Sequence, residues 1–573
     1  MVRKSHTTII QLLEKYMENR YKKQEGYTQG IEQSLIPTFP RYSLMRLIWR
    51  GYIINLLLDV VYAGYLVLEC IIMIYFTGLH SLLAIAIVYP IYQIAIRGPI
   101  ISFSLSAASF VHKELEVGHT IFANAYLLGY IILSVCWCTL VSLTIAPASH
   151  YIISVIGTSD DLYATNYLVL CSTLGGLSLI LDEGMTAIHI VEQRHVLIFT
   201  HMLTRYLLKS IFLLLFYTIC NKIGRERGEN MTSTLATAPI VTDIVVSIPL
   251  SVWILFITCH KTIYNYPLAT SLNLLKQNKY PWQWKVYKRI IVNSIPHYLK
   301  TLYEPFMLLV TNILVAKYYT NSDESITKRI SLLLFYLFRH IFMTSSRSFA
   351  ISYYTSMQTY YFHKFYQCVE AILVKLTLLV YSIGLLVGFT FLVLSPFLMR
   401  LLLPINVVDS FILSTLTEVR QTLLLDYCET TIRKAAIAGI ILVGLDMVLT
   451  IQTLRETYIL NTVVCLSRIV VGLVFVLIIG LMNQDNSSVE NALLIAEIPT
   501  AIGAVFLSIE QIYEHIFLGR LEMFHAMTSK TNSSSLSATD WAEVHQTIAE
   551  SKAEKRSAYK YLRFLITGRS IDD

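Results

Sequence analysis

About twelve long apolar stretches run from residue 46 to residue 516, and they constrain the chain more than any other feature. Each is close to the ~20 residues a helix needs to cross ~30 Å of hydrocarbon. A soluble helix would alternate apolar and polar faces. Leu379 to Ser395 is instead apolar all round. In lipid a helix satisfies its own backbone hydrogen bonds, so such a run predicts a spanning helix. The apolar runs place helices at about 47–77, 81–111, 120–145, 163–190, 195–220 and 237–258, then at about 286–316, 326–355, 367–398, 424–453, 458–482 and 489–516.

The implied architecture is an all-α polytopic membrane protein. It has a tail (1–45), a first lobe of six helices (46–258), a connector (259–284), a second lobe of six helices (285–516) and a C-terminal tail (517–573). Hydrophobic residues make up 55% and charged residues 14%, too apolar for a soluble protein of 573 residues. The nine cysteines lie in or beside apolar segments without metal-ligand spacing, so neither a disulfide framework nor a metal site is indicated. The first 45 residues are polar and basic, unlike a cleavable signal peptide.

Lys and Arg concentrate in the two tails and the connector, which by the positive-inside rule puts both termini in the cytoplasm. The exception is the loop with Lys222, Arg225 and Arg227, placed outside. The net charge of +7 is then a topological signal, and no nucleic-acid partner is expected. Sequons at Asn230 and Asn486 fall in outside loops, and one at Asn532 falls in the cytoplasmic tail.

A faint repeat joins the halves. Arg97, Ser104, Ser106 and Ala108 in the second segment recur at the same spacing as Arg339, Ser346, Ser348 and Ala350 in the eighth. Six helices separate the two sets, so the lobes are expected to share one orientation, as a parallel repeat about the membrane normal.

Charges at membrane depth are costly and usually functional. Glu304 lies between Pro296 and Pro305, where a kink or unwinding is expected, with Lys300 one turn away as a possible partner. Asp446 stands alone in an apolar run. A buried carboxylate can shed its charge by taking up a proton, so Glu304 and Asp446 read as a coupling pair sharing one site, with Glu69 as a further candidate. Asp59, Arg97, Asp182, Glu183, Arg205 and Lys209 in the first lobe, with Lys300 and Arg339 in the second, read as cavity-lining or ion-paired residues. Arg97 is expected to pair with Asp59, Glu69, Asp182 or Glu183.

Pro296 followed eight positions later by Glu304 resembles a pair in the seventh helix of multidrug and toxic compound extrusion (MATE) transporters of the eukaryotic type. Asp446 followed by Arg455 resembles a tenth-helix pattern, with Glu456 in place of a glycine. Ser106 to Ser109 with Gly118 and His119 is similar to the second-helix pattern, and Glu69 lies near the family's first-helix acid. The fifth segment departs, with Arg205 and Lys209 where prokaryotic members use asparagine and aspartate. The resemblance implies a twelve-helix, two-lobed secondary transporter. It would be a cation-coupled antiporter exporting organic cations or amphipathic small molecules by alternating access, with a proton or sodium ion for coupling. It implies no other cofactor, no enzymatic activity and a monomer in the bilayer. No glycine loop of the nucleotide-binding type occurs in the chain. An alternative within the same superfamily is a lipid-linked oligosaccharide or anionic-lipid flippase, which would use Arg97, Arg205, Lys209 and Arg339 to grip phosphate. A scaffold would need no carboxylates in matched lobes.

Overall fold

The computed structural model describes residues 44–77, 80–116, 120–156, 162–186, 195–227, 234–235, 237–260, 284–318, 322–362, 366–402, 418–455, 458–482 and 488–531. Residues 1–43, most of the connector, residues 532–573, Asn230, Asn486, Asn532, Gly118, His119 and Glu456 lie outside them, while 517–531, assigned to the tail from the sequence, continue α12 as helix. All elements among the described residues are helical.

The first six spans are α1 (Leu44–Thr77), α2a and α2b (His80–Tyr92, Gly98–Glu116), α3 (Thr120–Ile156), α4a and α4b (Leu162–Leu170, Gly176–Leu181), α5 (His195–Arg227) and α6 (Ala238–His260). The next six are α7 (Trp284–Tyr318), α8a and α8b (Ser322–Phe342, Thr344–Phe362), α9 (Tyr366–Leu402), α10a and α10b (Glu418–Ile441, Leu445–Leu454), α11 (Tyr458–Met482) and α12 (Ser488–Thr531). By length and composition nine of the described helices can cross a membrane alone, and the α10 pair, bent by 40°, makes a tenth. The apolar part of α6 is shorter, at Ala238–Ile254. α8 carries Lys328, Arg329, Arg339 and Arg347, so its apolar character is diluted by cations that turn inward.

Two compact units divide the chain. One comprises residues 25–356 and 379–504; the other comprises 1–24, 357–378 and 505–573. In the second, α12 carries a buried His515 whose Nδ1 lies 2.6 Å from the Gln511 carbonyl. The charged groups described below all belong to the first.

The polarity of this first unit is inverted. Large apolar side chains such as Leu143, Val252, Val393 and Ile459 are exposed, while Arg329, Arg339, Asp182 and Glu497 are buried. A helix bundle in hydrocarbon has this pattern, because lipid solvates leucine and only protein partners solvate charge.

Four spans are interrupted at matched places: the second and fourth of each half. In α2 the cause is proline. Pro90 has no N–H for the Ala86 carbonyl, and Asn312 Nδ2 on α7 donates to it at 2.8 Å. A π turn at Gln93–Arg97 follows, ahead of Pro99. The carbonyls short of a donor there are met from outside the helix, Ile94 by the Tyr298 hydroxyl at 3.0 Å and Ala95 by Trp137 Nε1 at 2.8 Å. α4 has a π turn at Cys171–Gly175 and breaks again at Asp182. α8 is interrupted at Met343 and α10 at Leu442–Gly444. A Cβ at Gly444 would run into the ring and hydroxyl of Tyr381, so the α10 break needs glycine for close approach. α7, where unwinding was expected, is one unbroken helix holding both Pro296 and Pro305.

The halves meet through two pairings. Between α1 and α8, Ser352 Oγ donates to the Ile48 carbonyl at 2.6 Å, Ser348 Oγ lies 2.5 Å from Asp59 Oδ2, and Tyr52 stacks on Phe349. Between α2 and α7, besides the two bonds above, Ser106 Oγ donates to the Ile290 carbonyl at 2.9 Å. Ser106 and Ser348 are the repeated serines, and each reaches from the second helix of its own half to the first helix of the other. A two-fold axis relating parallel halves exchanges these pairings, which gives the repeat a structural meaning.

Candidate functional site

In the first half the charges gather around Arg205, buried on α5. Its Nε lies 2.9 Å from Asp182, its Nη1 2.9 Å from Glu183 and its Nη2 3.1 Å from Asp243. Arg97 Nε donates to Glu183 at 2.7 Å. Lys209, one turn after Arg205, lies 3.2 Å from Asp243 and 3.6 Å from Glu69, with its ammonium over Tyr65. Asp182 is fully buried and takes His201 Nε2 at 2.6 Å and the Ser247 hydroxyl at 2.9 Å. The break in α4 at Asp182 puts adjacent acids on different sides, so Asp182 faces α5 and α6 while Glu183 also reaches α2. Gly184 follows, where a Cβ would strike the Tyr130 hydroxyl and where Ser104 takes the carbonyl.

In the second half Arg339 is the buried centre, 1% exposed. It lies 2.7 Å from Glu304 and 2.6 Å from Glu497. Arg468 shares Glu497 at 2.8 Å and lies over the Tyr303 ring at 3.9 Å. Asp446, just past the α10 break, receives Lys300 at 3.0 Å and has Arg347 at 3.9 Å. Arg347 Nη1 also rests against the His340 ring at 2.7 Å.

The two sets match by type. Each half has an acid on its first helix (Glu69, Glu304), an arginine on its second (Arg97, Arg339) and an acid after the fourth-helix break (Glu183, Asp446). Each has an arginine on its fifth (Arg205, Arg468) and an acid on its sixth (Asp243, Glu497). Arg205 and Arg468 are each the eleventh residue of their helix, and each pairs with the acid of the next.

One expectation is corrected. Lys300 pairs with Asp446 on α10, not with Glu304 on its own helix, because Arg339 already holds Glu304. Glu304 and Asp446 do not share one partner at close range. Each has its own cation, and Arg347 acts electrostatically on both. Asp59, Arg97, Lys300, Glu304 and Asp446 do converge where the halves meet, whereas Glu69, Asp182, Arg205 and Lys209 stay within the first half. Asp243, Arg347, Arg468, Glu497, His201 and His340 were not singled out in the sequence. Asp243, Arg468 and Glu497 each stand in an apolar run, so the rule that picked Asp446 also picks them.

Arg97 and Glu304 lie near the middle of their spans, yet keep 30% and 28% of their side-chain surface accessible. Charges at that depth are not left to lipid, so their accessibility points to a hollow inside the protein. Tyr89 lies within electrostatic reach of Arg97 in one half and of Glu304 and Arg347 in the other, and His340 within reach of the same three. The hollow therefore sits between the halves at mid-depth.

No protein-family model matches the sequence, and no curated protein does. Solved structures match. A multidrug resistance MATE family transporter of the MOP superfamily, in an outward-facing conformation, aligns with a TM-score of 0.62 at 13% identity, covering 83% of this chain and 97% of its own. An inward-facing conformation of such a transporter aligns at 0.60 and 13%, covering 81% and 98%. This is the MATE transporter fold. A MOP superfamily transporter from Pyrococcus furiosus, described as having a binding pocket of reverse polarity, aligns at 0.63 and 13%, covering 83% and 97%. The MATE fold has twelve helices in two lobes, so α1–α6 and α7–α12 are the lobes, and the paired charge sets sit one in each.

Proposed function

We propose that the protein is a secondary active transporter that moves small amphipathic molecules across a bilayer by alternating access. The observation that carries this reading is the charged hollow at mid-depth between two repeated lobes of MATE fold. A lobe interface built from two equivalent helix pairings can repack by rocking.

Coupling to a proton or sodium ion falls to Glu304 and Asp446. Glu304 is the accessible partner of Arg339, and Glu497 is the buried one. Neutralising Glu304 releases the α7 end of this link while Glu497 keeps Arg339 paired, so the switch leaves no stranded arginine. Neutralising Asp446 likewise frees Lys300, whose accessible ammonium can be hydrated. The first-lobe set, with Glu69 at its edge, is more enclosed and acts as the fixed body against which α7 and α8 move. Both termini and the connector are cytoplasmic in this account, and one chain suffices.

An exported organic cation would use Glu304. A second reading is favoured by the accessible charges themselves. Three cations, Lys300, Arg97 and Arg347, are 32%, 30% and 25% exposed, against one comparably accessible carboxylate, Glu304 at 28%, with Asp446 and Glu183 at 8% and 16%. The hollow thus presents more cation than carboxylate, which suits an anionic amphipath.

The test is flux in proteoliposomes under an imposed pH or sodium gradient, with matched cationic and anionic fluorescent amphipaths. Glu304→Gln and Asp446→Asn should each abolish gradient-driven flux while inserting normally. Wild-type flux in both variants would overturn the coupling role, and no gradient-driven flux of any probe in the wild type would overturn the transport reading.

A further inference from the structure

Arg347 is the least compensated cation in the hollow. Its only carboxylate neighbour within 4 Å among the described residues is Asp446, at 3.9 Å, and Lys300 already occupies that group at 3.0 Å. Its close contact is the His340 ring, 2.7–2.8 Å from Nη1, which as a neutral imidazole accepts at one nitrogen only and brings no counter-charge. A guanidinium at membrane depth without a firm counter-ion is costly. Two further acids act on it electrostatically: Glu304, which Arg339 already holds, and Asp59, on α1 of the opposite lobe. Asp59 is held by the Ser348 hydroxyl, next in sequence to Arg347, and the charged groups facing it are Arg347 on α8 and Asp446 on α10. Arg347 and Lys300 flank one carboxylate, and Arg97 reaches the same His340 and Tyr89 from the other side.

We propose that Arg347, with Lys300 and Arg97, binds the anionic head of an amphipathic substrate, and that Asp59 competes with that head for Arg347. The proposal rests on the transport reading and names its substrate class: a carboxylate, sulfonate or phosphate attached to an apolar body. Arg347 supplies a planar fork for the head, Lys300 a mobile ammonium, and Tyr62 and Tyr89 aromatic surface nearby. With Asp59 ionised, Arg347 is partly balanced from α1 and the lobes are held together there. When Asp59 takes up a proton, the guanidinium is free for the substrate anion. Anion and proton then enter the same state of the hollow, and the α1–α8 contact is where loading is sensed.

Binding is measured on the full chain in nanodiscs of neutral phosphatidylcholine, with pyrenebutyrate as the anion and a pyrene-bearing trimethylammonium of equal length as the cation. The wild type should bind pyrenebutyrate saturably and more tightly than the cation, and more tightly as pH falls. Arg347→Gln should weaken anion binding by about tenfold or more, the loss of one charge-assisted contact. Asp59→Asn should tighten it and remove the pH dependence. If Arg347→Gln does not insert, Arg97→Gln, whose partner Glu183 keeps Arg205, should weaken anion binding in the same direction. Adding phosphatidylglycerol separates two sources of the head: saturable displacement of pyrenebutyrate assigns a lipid headgroup, and no displacement assigns a soluble anion. Tighter binding of the cation, unchanged anion binding in Arg347→Gln or Arg97→Gln, or weaker anion binding in Asp59→Asn would overturn the proposal. Binding without flux would overturn the transport reading alone.

Discussion

Glu497→Gln is the substitution that most sharply separates a structural ion pair from a working one. Glu497 is 1% exposed and serves two arginines: Arg339 at 2.6 Å, and Arg468 with three contacts of 2.8–3.1 Å. Removing one partner of a buried pair costs about 3–5 kcal/mol, because the other charge stays buried. The two arginines fare differently. Arg339 keeps Glu304, so its loss is partial. Arg468 loses its carboxylate and keeps the Tyr303 ring, a contact that offsets up to about 2 kcal/mol when desolvated. The net expectation lies at the lower end, about 3 kcal/mol, or roughly a hundredfold in the folded-to-unfolded ratio. The assay is reversible unfolding of the purified protein in mixed micelles. Adding Arg468→Leu removes the stranded charge and should recover at least half of the loss, as coupled partners do. A Glu497→Gln protein within about 1 kcal/mol of wild type would refute the reasoning, since a carboxylate shared by two buried arginines cannot then be holding either.

Asn312→Ala should destabilise by about 1–2 kcal/mol by orphaning the Ala86 carbonyl. In a Pro90→Ala background the restored N–H should erase most of that cost, and equal costs in both backgrounds would contradict the assignment. Gly444→Ala should cost about 1–3 kcal/mol by forcing Tyr381 aside, with Tyr381→Ala restoring most of it in a thermal-unfolding comparison. Lys300→Met should leave Asp446 with only the distant Arg347 and lower the yield of inserted protein, while Lys300→Arg should not.

Much of this architecture was legible in the sequence, and the reason is solvent. Lipid demands unbroken apolar runs, so the twelve segments stood out, and helix limits such as Tyr458–Met482 fell where the runs ended. The recurrence of Arg97 and Ser106 in Arg339 and Ser348 was visible because Ser106 and Ser348 do equivalent jobs across the lobe interface. Partner choice was not legible. Lys300 lies one turn from Glu304 in the sequence, yet Arg339 on α8 takes the glutamate. Spacing along one helix says nothing of a second helix that brings a stronger competitor. The breaks were half legible: Pro90 and Gly444 mark two, whereas Pro296 and Pro305 mark a helix that continues unbroken. Proline alone does not break a helix: Pro147, Pro249 and Pro499 also lie within continuous helices.

The central claim is that the lobes move against each other along α1–α8. The direct measurement is flux in proteoliposomes carrying Ile48→Cys and Ser352→Cys, two positions joined across that interface by a 2.6 Å bond. With the nine native cysteines replaced by serine or alanine, a short reducible thiol cross-linker should stop flux, reductant should restore it, and the variants carrying only one of the two introduced cysteines should be unaffected by the reagent. Undiminished flux with the cross-link in place would contradict the account.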